Sequence, residues 1–508
     1  MTHHTMKADS LEALIAEQMQ THQVPGLAVT LIQGGRRVYE CGFGLTSIEP
    51  DAGLPVTPQT VFRAGSVTKP MTSTMLMRLV EDGLLDLDAP ICEYDRELLL
   101  SDPTATAKIT LRMLLSHTSG LPSDLEYHDR RTQRRYRTDL EQYTAEKLPH
   151  YRLIAPPGTG FHYSNPGINL AARLGEIVTG KPYTALMREY LFAPLGMSRS
   201  TFDPLEALTY PLALGHARDA QGQVSVKRPF IDNPMEYPCG YVLTTAHDLA
   251  SFALAHLGDG GLLVSVRNEM HQIQADRHNG EGYGLGFRGR QYRGMRFVGH
   301  NGAIGKYGAV LAMLPDVGCG MVMLFNRAPG FWGSARQIMN HALDLMLSEA
   351  DLSTGQPESG AVLPDMRPYI GCYLSYDLGL IDVALDGIRV NGRLTERPCL
   401  TRVDERYAVI NGALAENYDQ PLSKVDPVEL VHLTGVYDAD IDRWVIRAEG
   451  DALMIYSEDD RVEVRAVALS ANRFACDFGV LDFDVQADQP TAVVNALGYR
   501  FVRTGDNL

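Results

Sequence analysis

Apolar residues recur at helical spacing in Leu11, Leu14, Ile15 and Met19, which predicts an amphipathic helix near the start of the chain. The pattern then changes. Gly26-Leu27-Ala28-Val29-Thr30-Leu31-Ile32 is almost continuously apolar and reads as a buried strand, with Gly34-Gly35 as a hairpin turn and Arg37–Gly44 as its returning partner. A loop rich in Pro and Thr leads to Phe62-Arg63-Ala64-Gly65-Ser66-Val67-Thr68-Lys69-Pro70, and helical spacing resumes in Met71, Met75, Leu76, Leu79 and Val80. Leu111–Leu115 is helical again and stops at Ser116-His117-Thr118-Ser119-Gly120-Leu121-Pro122. A turn-rich stretch from Pro156 to Pro166 precedes a helix marked by Ile168, Ala171, Ala172, Leu174, Ile177 and Val178. From Tyr283 the text is strand-like and glycine-rich. It includes Phe297–Ala303, then Val310–Leu314 and Met321–Phe325 as a hairpin across Pro315-Asp316-Val317-Gly318, and a helix around Ile338–Leu347 closes the unit.

Beyond this point helical periodicity gives way to short β-like runs. Residues 351–366 read as a linker, on the strength of Ser353-Thr354-Gly355-Gln356-Pro357-Glu358-Ser359-Gly360. Tyr369-Ile370-Gly371-Cys372-Tyr373 and Leu433-Thr434-Gly435-Val436-Tyr437 open two similar stretches, each followed by alternating strands with turns at Asp386-Gly387 and Glu449-Gly450-Asp451. They suggest a duplicated antiparallel unit of roughly 65–75 residues. The expected organisation is therefore a large domain over 1–350, the linker, and small β domains over 367–430 and 431–508.

Composition narrows the function classes. A chain of 508 residues is long enough for two to four domains, and 45% apolar with 21% charged residues is ordinary for globular protein. The net charge of −16 disfavours nucleic acid and anionic membranes as partners. Arg130, Arg131, Arg134, Arg135 and Arg137 form the local exception, read as a solvated surface stretch. No apolar run approaches the ~20 residues of a bilayer span, and no signal-peptide core follows the first residues, so the cytoplasm is the expected location. Seven scattered cysteines fit buried thiols better than a disulfide framework. No zinc-type ligand spacing occurs, and no cofactor is expected. Gly284-Leu285-Gly286-Phe287-Arg288-Gly289 and Gly175–Lys181 imitate phosphate-binding loops, but the elements that such loops need do not flank them.

Three sites carry candidate chemistry. Ser66 and Lys69 lie three apart at a helix start, so the hydroxyl and the amine share a face, and a partly desolvated Lys69 could take the serine proton. Tyr163, at the mouth of a helix, could relay a proton to a leaving group, and Asn165 could bond Lys69 or a substrate amide. His300 offers a polar side chain that a proton would make cationic. Gly302 would let a substrate backbone pass close, and the Ala303 amide could join that of Ser66 as an oxyanion hole. His117 reads as a buried residue that ties down a turn.

With these motifs in this order, the chain resembles the serine β-lactamase and penicillin-binding-protein-like hydrolases, in particular the class C β-lactamase branch. The likeness covers about residues 8–347 and rests on Ser66-Val67-Thr68-Lys69, Tyr163-Ser164-Asn165 and His300-Asn301-Gly302, with Leu114–Leu121, Pro157-Gly158-Thr159 and Pro194-Leu195-Gly196-Met197 in support. It implies an α/β (α+β) β-lactamase-like domain, an antiparallel sheet flanked by helices plus an all-α lobe, with the site between them. His300 stands where β-lactamases of this branch carry the lysine of Lys-Thr-Gly. That version is similar to D-aminopeptidases, which also carry two C-terminal β-barrel-like domains, so two small antiparallel barrels are expected here. The resemblance implies Ser66, Lys69 and Tyr163 as catalytic and Asn165, His300, Gly302 and Ala303 as substrate-binding. The expected substrate is a small peptide, amide or ester, and a homodimer is compatible with this layout. An aminopeptidase must also receive an ammonium, for which Asp477 or Asp482 could serve, though both read as solvated turn positions. An esterase, a weak β-lactamase and a non-catalytic sensor of peptidoglycan fragments or β-lactams remain as rivals.

Overall fold

The computed structural model describes residues 3–347 except 97–99, 101, 124–138, 148–152, 219–221, 229, 259–263 and 279–280, and the strands between 371 and 505. The basic run, the linker and Asp477 lie outside the described residues.

The first helix, α1 (His3–His22), leads into β1 (Gly26–Gln33) and β2 (Arg36–Gly44), the hairpin expected from the pattern. β3 (Phe62–Arg63) and a single 3₁₀ turn, Gly65–Val67, deliver the chain into α2 (Thr68–Glu81). The helices α3 (Asn165–Thr179), α4 (Tyr237–Gly240) and α5 (Ala246–Leu257) follow, with β4 (Leu243–Thr244) pairing to β3 between the last two. Six strands come next: β5 (Ala275–His278), β6 (Glu281–Tyr283), β7 (Arg288–Tyr292), β8 (Met295–Ile304), β9 (Tyr307–Leu314) and β10 (Cys319–Phe325). The unit ends in α6 (Trp332–Met346).

These strands form one eight-stranded antiparallel sheet in the order β2-β1-β10-β9-β8-β7-β6-β5. The N-terminal hairpin is thus joined to the last strand, with Val29 opposite Met323 and Leu27 opposite Phe325. Alternation along β1 and β10 sends side chains into two separate cores. Leu27, Val29, Leu31, Met321, Met323 and Phe325 pack under α1 and α6 with Leu11, Ile15, Ile338 and Leu343. Ala28, Ile32, Val322 and Leu324 face the helical lobe, where they join Met71, Met75, Leu79, Leu115, Leu174 and Phe252. A strand covered on both faces is what a continuous apolar run requires.

The two phosphate-loop imitations are packing devices. A side chain at Gly286, which has φ of +84°, would overlap the Ser73 hydroxyl of α2, and one at Gly175 would meet Leu76 at 3.1 Å. Among the described residues no helix is long and apolar enough to cross a membrane, and Cys41, Cys92, Cys239 and Cys319 form no disulfide.

The C-terminal part corrects the expected pair of small β-barrel-like domains. Strands between Gly371 and Asn417 form an open seven-stranded sheet: Arg393–Leu394 stands at one edge and Leu400–Arg402 at the other, and among the described residues these two are not paired. In the second unit, eight strands from Gly435–Asp438 to Tyr499–Gly505 pair in chain order, and its first strand also pairs with its last. Similar opening motifs and turns do start equivalent hairpins, at Ala384↔Gly387 and Glu449↔Ala452. Local resemblance of hairpins did not carry over to how the sheets end, because closure depends on pairing of strands far apart in sequence.

Candidate active site

Ser66 sits in the 3₁₀ turn ahead of α2, and Lys69 in the first turn of α2, with its Nζ 3.1 Å from the Ser66 Oγ. Lys69 is fully buried, and its Nζ also donates to the carbonyl oxygen of Cys239 at 2.6 Å. That carbonyl is a functional group the sequence reading missed. It belongs to the backbone of α4, and a carbonyl leaves no side-chain signature. Two hydroxyls of α2 fix this segment: Thr72 Oγ1 donates to the Pro238 carbonyl at 2.7 Å, and Thr68 Oγ1 accepts from the Val242 amide at 3.1 Å. Tyr183 OH and Thr72 Oγ1 share a further bond at 2.7 Å.

Tyr163 is half-buried, and Lys69 Nζ lies 4.7 Å from the centroid of its ring. The loop that carries it is fastened at each step. Ser123 Oγ donates to the Tyr163 carbonyl at 2.7 Å, while the Ser164 amide donates to His117 Nδ1 at 3.1 Å. Ser164 Oγ then accepts from the Gly167 amide at 3.0 Å as the cap of α3. His117 has φ of +59°, and its ring lies 4.4 Å from that of Tyr163. Burial, followed by the charge of Lys69, holds it far below the usual histidine range, so it is neutral and acts as a hydrogen-bond acceptor. Asn165 opens α3, and its amide donates to the Ser123 carbonyl at 3.0 Å. The hydrogen bonds of Lys69 run to Ser66 and Cys239.

The third wall is β8. Strand β7 pairs with it only over Met295–Gly299, whereas β9 continues to Ile304. From His300 onward one edge of β8 is therefore released by β7, and the 3₁₀ turn takes that place. Two glycines make the approach possible. A side chain on Gly302 would overlap the Ala64 carbonyl and come 2.9 Å from the amides of Ser66 and Val67. One on Gly65, which has φ of +53°, would stand 2.5 Å from the Ala303 amide nitrogen. The amides of Ser66 and Ala303 are thus brought to the same corner by the absence of two Cβ atoms.

His300 is 2% exposed. Its Nδ1 bonds the Asn301 carbonyl at 2.6 Å, and its Nε2 meets Tyr283 OH at 2.9 Å. A carbonyl can only accept, so Nδ1 carries the proton and Nε2 accepts from the tyrosine. Burial pushes the Tyr283 hydroxyl well above its ordinary range, which keeps it a donor. Burial, with Arg288 and Lys69 adding repulsion, pushes His300 well below 6.5. The sequence left the charge of His300 open, and its surroundings favour the neutral form. Arg288 and Arg277, which enter from β7 and β5, supply the positive charge instead, and the Arg277 guanidinium lies 5.0 Å from the Phe161 ring centroid. Neither arginine was singled out in the sequence, since isolated arginines in strand-like text resemble surface positions. The side chain of Asp482 lies outside what the structure describes.

Residues 11–345 match the family described as Beta-lactamase. The chain belongs to that family. Among curated relatives it is 28% identical over 369 residues to Penicillin-binding protein 4 of Amycolatopsis lactamdurans, which covers 69% of this chain and 93% of that protein. It is 23% identical over 320 residues to Protein flp of Staphylococcus aureus strain MW2, covering 62% of each. Among solved structures, the octameric penicillin-binding protein homologue from Pyrococcus abyssi superposes with a TM-score of 0.59 at 22% identity, covering 98% of this chain and all of that one. SurE, in a structure with D-Leu, gives 0.55 at 20% identity with similar coverage. At these identities the likeness to the two structures shows the fold alone.

Proposed function

We propose that the chain is a serine hydrolase that works through an acyl-enzyme on small peptides or amides and releases N-terminal D-amino acids. The observation that carries the reading is the buried Lys69 amine at 3.1 Å from the Ser66 hydroxyl, inside a domain of the Beta-lactamase family. In this reading Lys69 acts from its neutral amine form, having given up the proton it carries as an ammonium, and takes the Ser66 proton as Oγ forms a bond to the substrate carbonyl carbon. The amides of Ser66 and Ala303 stabilise the developing oxyanion. Tyr163 passes the proton to the leaving amine as the C–N bond breaks, and water then attacks the ester to free Ser66.

His300 supports an amide or peptide rather than a β-lactam as the substrate. A neutral imidazole replaces an ammonium that would pair with the carboxylate of a β-lactam. That SurE, which shares this fold, is seen with D-Leu supports a D-configured residue in the substrate of this chain. A second reading, an esterase or weak β-lactamase, uses the same machinery, and a non-catalytic sensor of peptidoglycan fragments or β-lactams would use the same cleft without turnover. The deciding experiment is a panel of D- and L-aminoacyl anilides, short-chain aryl esters and a cephalosporin, run on the wild type and Ser66→Ala. D-selective anilide cleavage lost in Ser66→Ala supports the first reading. Ester cleavage alone defeats it, and hydrolysis that survives Ser66→Ala defeats the nucleophile assignment.

A further inference from the structure

Three residues before Ser66, Arg63 is buried to 1% exposure, and among the described residues its Nε and its Nη1 have no hydrogen-bond partner. Its Cζ stands 3.9 Å from the Phe230 ring centroid and 5.4 Å from that of Tyr241. Rings offer π density to a guanidinium, but they leave its N–H groups without lone pairs to donate to. Asp232 is the carboxylate whose field reaches Arg63, and its oxygens already accept from Tyr237 OH at 3.1 and 3.4 Å. A buried guanidinium with unmet donors is costly unless something completes it.

Arg63 lines a cavity of about 160 Å³ together with Gly215, Val226, Lys227, Arg228 and Tyr307. Its volume is several times the ~30 Å³ share of one water molecule, enough for an anion of a few heavy atoms. Its walls are fixed. Tyr307 OH donates to the Ala213 carbonyl at 2.8 Å, and a side chain on Gly215 would overlap the Gly305 carbonyl. At the mouth, Lys227 adds positive charge, while the Arg228 guanidinium is paired with Glu49 at 2.6 and 2.8 Å. The cavity includes none of Ser66, Lys69, Tyr163 or His300.

We propose that this cavity is a binding site for a small oxyanion, a carboxylate or phosphate group, held by the Arg63 guanidinium. The occupant would sit between β3, which leads to the nucleophile, and the Gly305 turn, which ends the strand carrying Ala303.

Isothermal titration calorimetry on the full chain tests this, at constant ionic strength, with sodium acetate, inorganic phosphate and neutral acetamide. Saturable binding of acetate or phosphate, with acetamide silent, is expected in the wild type and in Ser66→Ala. Affinity should fall at least tenfold in Arg63→Met. Val226→Phe fills the cavity and keeps Arg63, so it should show the same loss even where Arg63→Met fails to fold. The tighter of the two anions identifies the group recognised. No saturable binding in the wild type overturns the proposal, as does equal binding by acetamide, unchanged affinity in Val226→Phe, or loss in Ser66→Ala.

Discussion

Replacing His300 by Gln tests the neutral-imidazole assignment through acid stability. A histidine held far below 6.5 in the folded protein takes up a proton only on unfolding when the pH drops. The unfolded state then binds more protons, so the stability linked to this group is intact above pH 6.5 and shrinks as the pH falls. Between pH 7.5 and 5.5 the unfolded imidazole goes from mostly neutral to about nine-tenths charged, which costs the fold about 1.4 kcal/mol per such residue. His117, His256 and His271, all buried and shifted the same way, add similar losses, with His271 brought down to about 3. Their losses cancel in a difference between His300→Gln and its parent. The chain has two tryptophans, Trp332 in α6 and Trp444 in a C-terminal strand, so a Trp444→Phe background leaves Trp332 to report on the catalytic domain. Urea unfolding of both proteins at the two pH values should show that acidification costs His300→Gln about 1.4 kcal/mol less. An equal loss in the two proteins would mean that His300 is protonated in the folded state, and would refute the tautomer derived from Asn301 and Tyr283.

The remaining expectations concern the nucleophile and its supports. Ser66→Ala should keep the melting temperature within a degree or two and lose hydrolysis, read by calorimetry and anilide release together. Thr72→Val removes the hydroxyl that bonds the Pro238 carbonyl and Tyr183 OH. It should cost about 1–3 kcal/mol in urea unfolding and lower kcat more than it raises KM, because the Cys239 carbonyl on Lys69 shifts. Gly302→Ala should lower kcat by at least about a hundredfold with KM little changed, since its Cβ collides with Ala64 and displaces one oxyanion donor; wild-type kcat would show that the two amides do not act together. Ser164→Ala should cost about 1 kcal/mol through loss of the cap on α3, measured by the same unfolding assay.

What could be read in advance follows the distance along the chain over which each feature is decided. The β1–β2 hairpin, the spacing of Ser66 and Lys69, and the buried face of α2 are local, set by periods of two and 3.6 residues and by glycine turns. His117 was also legible, because a histidine inside a Ser-Thr-Gly-Pro turn has little room for another role. The joining of β1 to β10 was not legible, since nothing in either strand names its partner almost 300 residues away. Nor was the charge state of His300. Sequence shows an imidazole, whereas its neutrality comes from burial, Arg288 and the Tyr283 hydroxyl, which arrive from other strands. The expectation of a pair of barrels failed at the first unit for the same reason, as the two ends of a sheet decide whether it closes and those of the 371–417 sheet stay apart.

The site draws its geometry from three segments that meet only because particular atoms are missing or particular hydroxyls are present. Gly65 and Gly302 lack the side chains that would keep the serine turn and β8 apart. Thr68 and Thr72 then tie α4 to the same helix that carries Lys69. Lys69 is in turn held between a hydroxyl at one end and a carbonyl at the other. Such a site tolerates change at its exposed rim more readily than at these four positions, because each of them fixes a distance between segments. We therefore expect control of substrate preference elsewhere, at His300, Arg277 and Arg288, whose charge states act on the cleft without setting its spacing. On that expectation, charge substitutions on β5, β7 and β8 should shift relative rates across the anilide, ester and cephalosporin panel while leaving the Ser66 corner intact.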